Sequence, residues 1–300
     1  MNSNMQSQSQ QNVRFYRNVA RTFRVLESIS PCFAARCAGR LFSTPIRKPL
    51  KEYEVQFLEE GAPLSLSLSG GEIQGWRWGS GPAVLLVHGW SGRAAHFHAI
   101  GRELLTRGFS VIAFDKPGHG LSYGRESNLI LFNEAIERIS KFYGPFVAVV
   151  GHSLGSLSVA FTASQFALAE KLVLVSPAIG VNHAVEYFID TAGISHSLAK
   201  LMMGEFQKRY HVDFSSLEIS SLGPNLPLET LVFHDQDDHM IPWEETKEWV
   251  DRSPSASLQL TQRLGHYKIL SDPSIAKRIG DFICPARANI RELFLSEYAL

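Results

Sequence analysis

Short apolar runs alternate with stretches of helical spacing over most of the chain beyond residue 60. The apolar runs contain few polar side chains, which is typical of strands buried on both faces of a parallel sheet. They open the segments AVLLVHGW, FSVIAFDKPGHG, PFVAVVGHSLG, KLVLVSPA, ETLVFHDQDDHMIP and SLQLTQRLGHYKIL. The helical stretches are about 94–106, 131–142, 155–169, 243–251 and 273–283. This alternation predicts an α/β fold with a mostly parallel, doubly wound sheet.

Two regions depart from the alternation. PLSLSLSGGEIQGWRW alternates apolar and polar positions around Gly70 and Gly71, so we expect an N-terminal β-hairpin there. Between about residues 181 and 227, two helical patterns follow each other without a strand. We expect these helices to form a small cap over the carboxyl edge of the sheet, the edge at which open α/β sheets bind ligands.

The first 50 residues have a different character. Residues 1–12 are polar and repetitive, which predicts a disordered tail. Apolar residues recur at three- and four-residue steps from Val13 to Ser30, with arginines between them, and predict a basic amphipathic helix. The expected organisation is therefore a tail at 1–12, a basic helical segment at 13–50, and a domain at 51–300 with a cap at about 181–227. Docking of the basic helix on the domain is favoured over peripheral contact with an anionic membrane.

Composition narrows the class of partner. The formal net charge is zero, although the first 50 positions contain eight basic residues and only one acidic residue. The three cysteines are too few for a disulfide framework, so we expect reduced thiols and a cytoplasmic location. A Gly-rich phosphate loop, a dinucleotide fingerprint and an aromatic–basic stripe are all missing from the sequence. We therefore expect no cofactor, no metal and no nucleic-acid partner, and we interpret His96 and His98 as helix-surface residues.

The pentapeptide GHSLG, with Ser153 at its centre, follows an apolar strand and precedes a helix. A nucleophile elbow requires this context, because only small residues fit beside a serine on so tight a turn. The alternative is that the two glycines merely allow the helix to pack closely on the sheet. A serine hydroxyl also needs a neighbouring base to remove its proton.

His266, in RLGHYKIL after the last predicted strand, is the candidate base. An acid should orient its imidazole, and FHDQDDHMIP offers Asp235, Asp237 and Asp238. Acids after a strand are usually turn or cap residues, so at most one of the three takes this role. The spacing within the segment favours Asp238.

The oxyanion of an acyl transfer reaction needs two backbone donors. The helix after Ser153 offers the N–H of Leu154 at its N-terminus. The loop after an earlier strand, in LLVHGWSG, offers the N–H of Trp90.

Together these motifs resemble the α/β-hydrolase superfamily, of the single-domain esterase, lipase and thioesterase type. The resemblance covers roughly residues 64–283 and rests on HGWSG, FDKPGHGLS, GHSLG, DDHMIP and GHYKIL in that order. It implies a structural role for the loop that begins at Asp115. Two positions depart from the family pattern: Ser156 stands where many members have a second glycine, and Asp235 where relatives often have glycine.

The resemblance implies a serine hydrolase that cleaves a carboxylic ester or thioester through an acyl-enzyme. Its substrate is expected to be a small, apolar acyl compound. Two alternatives stay open: an acyltransferase or carbon–carbon bond hydrolase with the same triad, and a non-catalytic binding protein of the same fold. The oligomeric state does not follow from the sequence.

Overall fold

The computed structural model describes residues 17–213, 217–222, 226 and 228–284. The predicted tail, residues 1–12, lies outside this range, as do the first four residues of the predicted basic helix. The described residues fall into two compact units. One unit comprises the described residues of 17–44 and 180–221, and the other those of 45–179 and 222–284.

The larger unit contains an eight-stranded sheet in the order β1-β2-β4-β3-β5-β6-β7-β8. The strands are β1 (Ala62–Leu68), β2 (Gly71–Trp78), β3 (Ala83–Val87), β4 (Ser110–Phe114), β5 (Phe146–His152), β6 (Ala169–Val175), β7 (Glu229–Asp235) and β8 (Ala256–Thr261). Strand β2 is antiparallel to β1 and β4, and all other neighbours are parallel. The predicted mostly parallel sheet and its N-terminal hairpin are confirmed.

The central strands are buried on both faces. In β3, Val84 and Leu86 pack into a cluster that includes Ile100 and Ile279 from two helices. Leu85 points to the opposite face, because successive side chains of a strand alternate, and it is equally inaccessible to solvent. This burial explains why the strands read as continuous apolar runs rather than as alternating patterns.

The helices of the larger unit mostly follow the predicted order. They are α3 (Glu52–Glu59), α4 (His98–Thr106), α5 (Leu129–Tyr143), α6 (Leu154–Gln165), α9 (Trp243–Asp251), α10 (Gly265–Lys268) and α11 (Pro273–Ile283). Residues 94–97, at the start of the predicted 94–106 helix, form a 3₁₀ turn. Helices α5 and α6 pack against each other, and α4 packs against α11.

Helix α3 is not among the predicted helices. The Glu54 carboxylate accepts the Lys51 N–H at 2.7 Å, which caps the first turn. Phe57 is fully buried and stacks on Trp78, with ring centroids 4.4 Å apart. Phe57 and Leu58 are the only apolar residues that α3 buries, too few to produce a helical pattern in the sequence. Tertiary packing therefore stabilises this helix.

The smaller unit contains only helices in its described part. They are α1 (residues 17–29), α2 (Pro31–Phe42), α7 (Val181–Ala192) and α8 (His196–Tyr210). Phe42 of α2 packs edge-on against Phe188 of α7, and the Ser195 hydroxyl donates to Glu27 of α1 at 2.6 Å. The basic N-terminal helices, predicted as a separate segment, therefore pack with the helices of the inserted region.

Within α1, Phe23 is buried while Arg17, Arg21 and Arg24 are exposed. Among the described residues, no helix combines the length and the apolar character required to cross a bilayer.

Candidate active site

Ser153 occupies the sharp turn between β5 and α6. Its backbone has φ +53° and ψ −125°, a conformation that non-glycine residues seldom adopt. The surrounding backbone holds it there, because the Ser153 N–H donates to Val175 O at 3.0 Å and its carbonyl accepts the Ser156 N–H at 2.9 Å. Such a conformation costs about 1–3 kcal/mol and is typical of residues at functional sites.

The turn depends on a close approach of backbone atoms at Gly155. A Cβ atom at this position would lie 2.3 Å from Val87 O and 2.4 Å from His88 O. The absence of a side chain therefore lets the N-terminus of α6 reach the end of β3. Ser156, at the position where the resemblance favours glycine, is fully buried, and its hydroxyl donates to Val175 O at 3.3 Å.

His266 and Asp238 form a buried pair at the carboxyl ends of β8 and β7. The His266 Nδ1–H donates to Asp238 Oδ2 at 2.7 Å. The two residues are 6% and 7% exposed. Because Nδ1 carries the proton in this bond, Nε2 of the neutral imidazole is an acceptor.

The Asp238 carboxylate is held by further donors. Its Oδ1 accepts the N–H groups of Met240 at 2.9 Å and Ile241 at 3.1 Å, and His234 Nε2 lies 3.4 Å from Oδ2. Burial raises the pKa of Asp238, but the hydrogen bonds from His234 and His266 outweigh it, so its pKa lies well below the ordinary range. Asp238 is therefore ionised at neutral pH.

The two other candidate acids point elsewhere. Asp235 accepts hydrogen bonds from Thr261 Oγ1 at 2.6 Å and from the N–H groups of Leu264 and Gly265 at 3.1 and 2.9 Å. Asp237 is exposed and accepts the Arg263 N–H at 2.7 Å. Of the three predicted acids, only Asp238 contacts the imidazole, and Asp235 instead holds the loop that carries His266.

His152 joins the turn of Ser153 to the loop of His266. Its Nε2–H donates to the His266 carbonyl at 2.9 Å, and the two rings lie 4.8 Å apart. Burial lowers the pKa of His152 well below its ordinary value, so the ring is neutral at pH 7. Among the described residues, the Ser153 hydroxyl forms no hydrogen bond, and in unliganded enzymes such bonds are often long.

The loop after β3 lies against Ser153. A Cβ atom on Gly89 would stand 2.8 Å from Ser153 Cβ, so the backbone passes directly beside the serine. Neither the Leu154 N–H nor the Trp90 N–H has an acceptor among the described residues. Both predicted oxyanion donors therefore belong to backbone next to Ser153 and are available to a ligand.

The remaining motif residues support this loop. Asp115 accepts the N–H groups of Ala94 and Leu121, each at 2.8 Å, which agrees with the structural role that the resemblance implies. The indole of Trp90 packs against the rings of His119 and Phe132, with centroids 5.3 and 6.2 Å away.

The two histidines of the H-x-H pair are less exposed than expected. His96 Nε2 lies 3.6 Å from the Glu54 carboxylate, and His98 packs against the ring of Tyr53. Burial lowers the pKa of His96 to about 4. Over the part of the chain that the structure describes, no cluster of side chains is suited to hold a metal ion.

Comparison with solved structures identifies the fold. The structure of an esterase from Pyrococcus furiosus superposes with a TM-score of 0.60, covering 80% of this chain and 95% of that one at 20% identity. Residues 81–221 also match the family described as serine aminopeptidase, S33. The chain has the α/β-hydrolase fold.

Sequence relatives match a smaller share of the chain. An uncharacterized protein of Mycobacterium tuberculosis is 32% identical over 50% of this chain and 46% of its own length. This chain thus spans about half the length of that relative. A monoacylglycerol lipase of Mycolicibacterium smegmatis is 24% identical over 63% of this chain and 82% of its own.

Sequence reasoning missed two residues of this site, His152 and His234. His152 stands inside GHSLG, so its place beside the serine was visible, but its bond to a residue 114 positions away was not. His234 is the penultimate residue of β7, four residues before Asp238, and nothing in the sequence distinguishes it from the other histidines. Its other nitrogen, Nδ1, lies 2.9 Å from Thr246 Oγ1, which fixes the ring.

Proposed function

We propose that this protein is a serine hydrolase that cleaves a carboxylic ester or thioester through an acyl-enzyme intermediate. The observation that carries the proposal is the hydrogen bond between His266 Nδ1 and Asp238 Oδ2, in a loop that His152 ties to the strained turn of Ser153. This arrangement leaves Nε2 of His266 as the proton acceptor that a serine nucleophile requires.

In the proposed reaction, Ser153 Oγ attacks the acyl carbonyl carbon while His266 Nε2 takes the hydroxyl proton. The carbonyl oxygen becomes an oxyanion and accepts hydrogen bonds from the Leu154 and Trp90 N–H groups. His266 then gives the proton to the departing alkoxide or thiolate, which leaves the acyl group on Ser153. A water molecule, deprotonated by His266, attacks the acyl-enzyme and releases the carboxylic acid and Ser153.

Asp238 acts throughout by holding His266 in the tautomer with a proton on Nδ1. It also stabilises the imidazolium that forms twice in each cycle. Its buried, ionised carboxylate suits this role because the two backbone N–H bonds to Oδ1 leave Oδ2 directed at the imidazole.

The relatives support an ester as substrate. A monoacylglycerol lipase and an esterase both resemble this chain, and both names describe cleavage of carboxylic esters. We propose an apolar acyl group, because Leu, Met, Phe and Tyr residues are frequent in the helices of the inserted region. We also propose a cytoplasmic location, which imaging of a tagged chain tests.

Turnover of p-nitrophenyl esters with acyl chains from acetyl to lauroyl tests the proposal and measures pocket depth at the same time. We expect hydrolysis of at least one ester, with a kcat/KM that rises with chain length to a maximum. Adding a primary alcohol as a second acceptor distinguishes an acyltransferase, which would form the alkyl ester in preference to the free acid. A folded chain that turns over none of these esters or the matching thioesters would refute the proposal.

A further inference from the structure

A cavity of about 240 Å³ lies in the larger unit, away from the three candidate catalytic side chains. Its walls are the segment 46–50, the loop after β3 at residues 91–93, and the loop after β4 at residues 115–121. Ser153, Asp238 and His266 do not line it. A ligand bound here would therefore be separable from a substrate bound at Ser153.

Cationic side chains dominate the cavity wall. Arg47, Lys48 and Arg93 line it, and Asp115 is the one carboxylate among the lining residues. Both oxygens of Asp115 already accept backbone N–H groups, at 2.8 Å each. His119 also lines the cavity, and burial lowers its pKa to about 3, so its ring is neutral at pH 7.

The guanidinium N–H groups of Arg93 have no hydrogen-bond acceptor among the described residues. Its side chain is 9% exposed, yet its guanidinium makes no hydrogen bond to any described residue. The Glu54 carboxylate is its ion-pair partner, at 4.0 Å from Nε, which is beyond hydrogen-bonding distance. A largely buried guanidinium with five N–H groups is unfavourable unless acceptors reach it, so this side chain suits an anionic ligand.

The two other cationic side chains, Arg47 and Lys48, differ in their hydrogen bonds. Within the described residues, the Lys48 amino group has no hydrogen bond and no ion pair, and it is exposed at the cavity mouth. Arg47 instead donates from Nε to Gly118 O at 2.9 Å, and from Nη2 to Ser122 O at 2.8 Å and Gly124 O at 2.9 Å. Arg47 therefore fixes the wall, while Arg93 and Lys48 are available to a ligand.

Apart from Ser91, whose hydroxyl accepts the Ile46 N–H at 2.9 Å, the rest of the wall is apolar, with Leu50, Leu58 and Leu121 contributing side chains. The volume falls just below the range of about 300–1,000 Å³ that is usual for drug-sized ligands. We propose that this cavity binds a small organic anion, with a carboxylate or phosphate on Arg93 and Lys48 and a short apolar chain against the leucines.

Isothermal titration calorimetry on the full chain with hexanoate, hexyl phosphate and hexan-1-ol tests this proposal. Both anions are expected to bind at least about tenfold more tightly than the alcohol, because charge-assisted hydrogen bonds are the stronger class. The tighter of the two anions identifies the headgroup. Equal binding of hexan-1-ol and both anions would overturn the proposal.

Two charge reversals of exposed lysines form a matched pair. Lys48→Glu is expected to weaken both anions by about tenfold or more, while Lys141→Glu, on α5 outside the cavity, should change binding less than twofold. Arg93→Gln should weaken binding further in a chain whose circular dichroism matches wild type. Equal effects of the two reversals, or wild-type binding by folded Arg93→Gln, would contradict the assignment.

Discussion

The turn at Ser153 and the pair formed by Asp238 and His266 are held by different kinds of contact. The turn depends on close steric packing. Ser153 adopts a strained backbone conformation, and Gly155, where no Cβ would fit, lets α6 approach β3. The acid–histidine pair is a hydrogen-bonded construction, in which donors from several loops converge on Asp235 and Asp238. The residues that form the turn are contiguous in sequence, whereas the second arrangement joins residues 26 to 30 positions apart.

The turn and the acid–histidine pair should be sensitive to different substitutions. The turn should be destabilised when a side chain gains volume, because closely packed backbone atoms cannot move apart without a cost in free energy. A hydrogen-bonded site fails when an acceptor is removed, because several buried donors then lose their partner together. Substitutions on the two sides should therefore produce different signatures.

The largest expected effect comes from the turn itself. Ser153→Ala should lower kcat for p-nitrophenyl ester hydrolysis by about 10⁴-fold or more, because the nucleophile is lost. The fold should persist, because the replaced hydroxyl makes no hydrogen bond to a described residue. Steady-state kinetics and thermal unfolding together check this, and residual activity within tenfold of wild type would exclude Ser153 as the nucleophile.

The next largest effect separates the acids on the hydrogen-bonded side. Asp238→Asn should lower kcat by about 10²–10⁴-fold, because a neutral amide no longer holds the imidazole tautomer or its charge. Asp237→Asn is the matched control, since its exposed carboxylate does not contact His266. Near wild-type rates are expected for it. The assignment would be wrong if Asp237→Asn lost activity and Asp238→Asn kept it.

Adding volume at the turn should reveal its steric character. Gly155→Ala is expected to lower the free energy of unfolding by about 3 kcal/mol or more, because the new methyl group meets two carbonyl oxygens. Gly204→Ala in α8, where a Cβ would meet no atom within 4 Å, should raise it by about 0.5–1 kcal/mol. Urea denaturation followed by tryptophan fluorescence measures both. Equal effects would show that the turn tolerates volume.

The smallest expected effect concerns pH and Asp235. Burial raises the pKa of Asp235, but hydrogen bonds from Thr261, Gly265, Asp237 and Leu264 outweigh it, so its pKa lies below the ordinary value. A lowered pKa in the folded state means that ionised Asp235 stabilises the fold above its unfolded pKa of about 3.9, and that this contribution is lost as the pH falls below it.

Asp235→Asn should therefore cost about 1–3 kcal/mol at pH 7, and the difference from wild type should shrink as the pH falls below about 4. Urea denaturation at a series of pH values from 7 to 3.5 gives this difference directly. A gap that stays constant down to the lowest pH would mean that the carboxylate charge does not hold the His266 loop.

The same contrast explains how far the sequence could predict the site. The turn at Ser153 was predictable, because strand, pentapeptide and helix are contiguous and each has a local steric reason. The spacing favoured Asp238 but did not exclude Asp235 or Asp237, because Asp235 ends β7, the other two follow it within three residues, and only long-range bonds distinguish them. His234 and the 46–50 wall of the cavity gave no signal, since their roles depend on partners far along the chain.

In the fold, the buried strands were predictable from their apolar runs. Helix α3 was not, because Phe57 and Leu58 acquire their meaning only from packing in the core. The packing of α1 and α2 with α7 and α8 was also beyond prediction, since an amphipathic pattern indicates a buried face and does not identify what covers it.

Labelling of the folded chain with a fluorophosphonate, followed by peptide mapping in a mass spectrometer, tests the central claim most directly. This claim is that Ser153 is a nucleophile activated by His266. We expect a single adduct on Ser153, much slower labelling of the His266→Ala variant, and no adduct on a denatured chain. A folded wild-type chain that stays unlabelled, or that carries its adduct on another residue, would contradict it.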